Sequence, residues 1–71
     1  MGVESLKPGD KVELSDGATA EVTATVENGQ VPLRVIDSPF GPDIPGTEKN
    51  ADPDEIFGVF TDDAMTVVRA L

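Results

Sequence analysis

The chain has 71 residues, with 14 acidic side chains against 5 basic ones, a formal charge of −9, and no cysteine, histidine, tyrosine or tryptophan. Disulfides, thiolate or imidazole metal sites and histidine-based acid–base catalysis are thereby excluded. A domain of this size buries only about 60% of the surface of its unfolded chain, and a carboxylate-rich surface repels phosphate backbones and anionic membranes.

Met1 to Leu6 reads as a short lead-in, and Met1 to Leu14 has no apolar run, so no signal peptide is expected. No segment approaches the roughly 20 apolar residues of a membrane helix, so a cytoplasmic protein is expected, which the lack of cysteine fits. Lys7-Pro8-Gly9-Asp10 is a turn, and Lys11 to Leu14 is the first strand, with Val12 and Leu14 on one face. After Asp16-Gly17, Thr19 to Val26 alternates strictly: alanine or valine at even positions, threonine or glutamate at odd ones. This is the pattern of a strand with one face in a core and one in water. Asn28-Gly29 is a two-residue hairpin signal. Val31 to Ile36 follows as the third strand, expected at an edge because Pro32 cannot donate to a ladder.

Asp37 to Glu55 carries Pro39, Pro42, Pro45, Pro53, Gly41 and Gly46 and is expected to be a long irregular loop. One helical turn is expected within it, with Asp52 at the N-cap and Pro53 at the first position. Phe40 and Ile44 are expected to pin this loop to the core. Ile56 to Phe60 is the fourth strand, read as central and packed on both faces, with Gly58 marking a bulge. Thr61 to Ala64 turns the chain into a fifth strand, Met65 to Leu71. The expected core is Val12, Leu14, Ala20, Val22, Ala24, Val26, Leu33, Val35, Phe57, Val59, Met65 and Val67.

Five short strands with a meander, a long Pro/Gly-rich loop and a final hairpin resemble an SH3-like barrel. The opening Leu6-Lys7-Pro8-Gly9-Asp10-Lys11-Val12-Glu13-Leu14, then Asp16-Gly17 and Ala20-Glu21-Val22, is similar to the start of KOW-type SH3-like domains. The similarity covers about the first third of the chain. It implies an all-β, five-stranded, partly open barrel, one domain over residues 1–71. Ala20 stands where KOW domains carry glycine, and the basic and aromatic surface through which those domains touch RNA is missing. RNA or DNA binding is therefore not carried over; only a cluster of Lys7, Lys11, Arg34 and Arg69 on one face would revive it. The composition, poor in lysine and rich in Asp, Glu, Thr, Val and Ala, resembles that of proteins from extremely halophilic archaea. In molar salt the Debye length falls to about 3 Å and such a surface stops repelling itself.

No enzyme is expected. Ser5, Ser15 and Ser38 have no histidine to activate them, Asp62-Asp63 reads as a solvated turn, and Lys49 is expected in a polar loop with an ordinary pKa. Asp52-x-Asp54 fails as a calcium loop, because Ile56 and Phe57 fall where a ligand and a glycine are needed. A weak divalent-cation site spread over Asp52, Asp54, Glu55, Asp62 and Asp63 is a rival reading; no cofactor is expected. The leading expectation is a small, monomeric, acidic interaction module with an unknown protein partner. Its candidate partner-binding residues are Phe40, Ile44, Pro42 and Pro45. Exposed, Phe40 and Ile44 form an anchor; buried, they seal one end of the barrel, which is the outcome expected of them. A free sheet edge, at Val31 to Ile36 or Met65 to Leu71, is the other docking surface considered.

Overall fold

The computed structural model describes residues 3–70. Apart from 3-10 turns at Val3–Ser5 and Pro53–Glu55, its regular structure is all β. The strands are β1 (Lys11–Leu14), β2 (Thr19–Val22), β3 (Val31–Asp37), β4 (Glu48–Ala51), β5 (Ile56–Phe60) and β6 (Val68–Ala70). They form one antiparallel sheet in the order β4-β3-β2-β1-β5-β6. The first four make a meander, and β5 returns to the free side of β1. No helix among the described residues is long and apolar enough to cross a membrane.

One sheet face carries the core: Val12 and Leu14 from β1, Ala20 and Val22 from β2, Val31, Leu33 and Val35 from β3, Ala51 and Ile56. Val3 and Leu6 cap it from the first 3-10 turn, and Ala18 joins from the β1–β2 connection. A sheet with one apolar face must find a cover, and no helical layer among the described residues supplies it. The sheet instead curls over its own apolar face. The smallest extent of the whole fold, loops included, is 19 Å, more than one flat layer of strands spans, and Val12, Ala20 and Val31 on that face are fully buried. The edge strands β4 and β6 are not hydrogen-bonded to one another, so the curled sheet stays open.

The turns form where their residues dictate. Asn28 and Gly29 both have positive φ, 54° and 76°, the condition for a tight two-residue hairpin turn, and Glu27 and Gln30 exchange backbone hydrogen bonds across it. Gly17 takes φ 91°, and the Asp16 carboxylate accepts the Ala18 N–H.

Several expectations are corrected. Six strands form, because Glu48–Ala51, expected in loop, pairs with β3. Strand β3 is therefore internal. Pro32 is tolerated there because its carbonyl accepts from Thr23, just beyond the end of β2. The bond it cannot return ends the ladder, so β2 stops at Val22; Ala24 is exposed and Val26 half-buried. On β5, Leu14 pairs with Ile56 but Glu13 with Gly58, which makes Phe57 the extra residue of a bulge. Phe57 is thrown outward, 59% exposed, while Ile56 and Val59 both face the core. The last strand is delayed to Val68 because the Asp62 carboxylate captures the Thr66 and Val67 N–H groups and the Thr66 hydroxyl. Met65 is thereby left in the loop at φ 56°, half-buried, and Val67 is exposed. Leu71 lies outside the described residues.

Gly58 marks the closest backbone approach. A Cβ there would stand 2.6 Å from the Arg69 carbonyl oxygen and 2.7 Å from a Val68 methyl. Gly58→Ala is expected to cost about 1–3 kcal/mol by prising β6 from β5. Urea unfolding checks this; a midpoint equal to the parent's would contradict it.

Candidate functional site

The β3–β4 connection, residues 38–47, is built by a proline every third position at Pro39, Pro42 and Pro45. Each ring fixes φ and removes a donor, so the segment cannot pair as a strand. Its ends are nevertheless held. Val35 donates to Thr47 O at 2.9 Å, Gly46 donates to Val35 O at 2.7 Å, and Thr47 donates to Ile44 O at 3.1 Å. Gly46 takes the positive φ that closes this turn, 93°.

Below the loop, Lys49 is the fastening. It pairs with Leu33 across β3–β4, so it shares the core face of the sheet. Its Nζ reaches the Glu55 carboxylate at 3.3 Å and the Asp43 carboxylate at 3.7 Å. Glu55 also accepts the Asp52 N–H at 2.8 Å, which fixes the second 3-10 turn, as expected from the Asp52-Pro53 start. One ammonium thus ties the loop to that turn. Burial works to lower the Lys49 pKa, but the hydrogen bond it donates to Glu55 and the charges of Glu55, Asp43 and Asp16 outweigh it and raise it above 10.5. The expected ordinary value is corrected accordingly. A raised ammonium pKa contributes stability that is fully present below 10.5 and lost as pH rises through the higher folded value. Lys49→Met, which keeps the stem, is expected to cost about 1 kcal/mol or less and to speed amide exchange at residues 43–47. Unaltered exchange would contradict the fastening.

At the tip, the sealing expected of Phe40 and Ile44 does not occur. Phe40 is 86% exposed and Ile44 71%. Pro42 and Pro45 are exposed beside them. The loop packs through its glycine instead: a Cβ at Gly41 would crowd the Asp16 carboxylate and the Ser38 hydroxyl, which would have to turn aside. One flank of the Phe40 ring rests on Gly17, where a Cβ would come within 3.2 Å. All four residues singled out in the sequence therefore share one exposed loop, with Asp43 at its base and Asp37 exposed at the end of β3.

The other candidates are scattered. Lys11, Glu21, Arg34 and Glu48 are successive cross-strand partners on the outer face, a row of alternating charge over four strands. Lys11 meets Glu21 at 3.8 Å and Arg34 meets Glu48 at 3.1 Å. Lys7 and Arg69 lie elsewhere, lining a groove together, so the four cations do not form one basic face. Among the acids, Asp52 accepts from Gln30 and Glu55 is held as described. Asp62, read from sequence as solvated, organises the β5–β6 loop. The Thr66 hydroxyl above all, with the backbone N–H groups of Thr66 and Val67, holds its carboxyl below the ordinary 3.8. Its contribution is present above that value and is lost as pH falls through the lower folded one. No group of three or more acidic side chains among the described residues is arranged to hold a metal ion. Comparison with family models, with curated proteins and with solved structures finds no match to this chain.

Proposed function

We propose that the chain is a non-catalytic interaction module of the cytoplasm, an SH3-like, partly open barrel adapted to high salt, and that it takes a basic protein partner on the loop at residues 38–46. The observation that carries this reading is the exposure of Phe40 and Ile44 on a loop that is itself fastened. Two large apolar side chains held in water by stiff backbone are ready anchors, since little ordering entropy remains to be lost on docking. The carboxylates of Asp16, Asp37 and Asp43 around them favour a partner with lysine or arginine beside its apolar contact. The return of β5 to β1 and the curl of the sheet support the barrel.

Capture of partners at native salt by the parent chain and by a Phe40→Ser/Ile44→Ser double variant tests the reading. The variant is expected to keep the parent's stability within about 0.5 kcal/mol, as exposed sites do. It is expected to bind the captured partner about 10- to 100-fold more weakly, the usual worth of central anchors. Equal affinity would refute the loop as the docking surface.

A further inference from the structure

Three of the five basic side chains are neutralised within the fold: Lys11 by Glu21, Arg34 by Glu48 and Lys49 by Glu55 and Asp43. The side chains of Lys7 and Arg69 have no ion-pair partner among the described residues. Both line one open groove of about 640 Å³, where the 3-10 turn and the start of β1 face the β5–β6 edge. This groove lies at the Lys11 end of β1, whereas the proline loop packs near its Leu14 end. Leu6, Val59 and Ala70 supply its apolar part, and Thr61 lines it as well. Asp10, the one acid lining it, accepts the Lys7 backbone N–H at 3.0 Å and keeps its charge, so that with Lys7 and Arg69 the lining carries a net charge of +1 (two cations less one anion).

We infer that this groove binds a small organic carboxylate with an apolar body, its charge between Lys7 and Arg69 and its hydrocarbon part against Leu6, Val59 and Ala70. In a chain of charge −9, two unneutralised cations sharing one concavity form a local exception that favours an anion. Because the surrounding field opposes any anion, the ligand must add apolar contact to be retained, which disfavours inorganic ions. The volume lies within the range of small-molecule sites, about 300–1,000 Å³. Strand addition at the adjacent edge is disfavoured, since β6 has only three residues and Arg69 is its centre, a blunted edge.

Amide chemical shifts of the full chain, followed at constant ionic strength set with KCl, test this with hexanoate as the probe. Saturable shifts are expected at residues 5–10, 59–61 and 69–70. Hexan-1-ol and acetate are each expected to bind at least about tenfold more weakly, one lacking the charge and the other the apolar body. Lys7→Gln and Arg69→Gln, both exposed substitutions, should each weaken hexanoate about tenfold, and Arg69→Lys less. Non-saturating shifts, equal binding of hexan-1-ol or of acetate, or full affinity in the Lys7→Gln/Arg69→Gln double variant would overturn the site.

Discussion

Leu33→Ala is expected to remove about half of the chain's stability in dilute buffer. Leu33 is among the largest fully buried side chains, 1% exposed, on a strand flanked by β2 and β4. It pairs with Val22 on one side and with Lys49 on the other, so it touches both the core and the root of the loop fastening. Truncation of a buried leucine costs about 2–5 kcal/mol, more where the surroundings cannot collapse. Against that loss stands a total of only roughly 4–10 kcal/mol for a chain of this length. Circular dichroism and urea titration of the variant would settle the point: a loss under about 1 kcal/mol would place Leu33 outside the core.

The second large effect is that of salt. All acidic side chains among the described residues lie at the surface, since no polar or charged residue is fully buried. Only four of the 14 carboxylates, Glu21, Glu48, Asp43 and Glu55, have an ion-pair partner among the described residues, so most of the negative charge is not locally compensated. Raising KCl from about 0.1 M to above about 1 M shortens the Debye length from about 10 Å to under about 3 Å and screens that repulsion. The thermal midpoint is expected to rise by about 10 °C or more, what about 2 kcal/mol produces in a domain of this size. The Leu33→Ala chain should regain part of its lost stability in the same salt. The ion pairs at Lys11, Arg34 and Lys49 weaken with salt and oppose the trend, but surface pairs are worth only about 0–1 kcal/mol each. A midpoint indifferent to KCl would remove the basis for reading the acidic surface as an adaptation.

The meander was legible because its signals are local. Val12, Leu14, Ala20 and Val22 alternate with polar residues, Leu33 and Val35 flank Arg34, and all six are buried; the Asp-Gly and Asn-Gly corners turn as their chemistry requires. Misreadings arose where a distant partner decides the outcome. Ala24 and Val26 continue the alternation of β2, yet Pro32 on the facing strand stops the ladder at Val22. Phe57 reads as core until the bulge opposite Glu13 and Leu14 turns it outward. Glu48 to Asn50 has no strand pattern, being polar at each position, and becomes β4 because β3 offers it an open edge. The loop residues Phe40, Ile44, Pro42 and Pro45 could be named from composition, but not their exposure. That depends on Gly41 packing against Asp16 and on Lys49 holding Asp43. The groove was the least visible feature: Lys7 and Arg69 are 62 positions apart, and only the pairing of β5 with both β1 and β6 brings them to one wall.

Amide mapping of the complex with the captured partner tests most directly whether the loop is the docking surface. The expected result is shifts concentrated at residues 38–46 and at the Asp16-Gly17 corner beneath them, and their disappearance in a Phe40→Ser/Ile44→Ser chain that unfolds at the parent's midpoint. Shifts centred on the outer face at Lys11, Glu21 and Arg34, with the double variant bound as tightly as the parent, would contradict it.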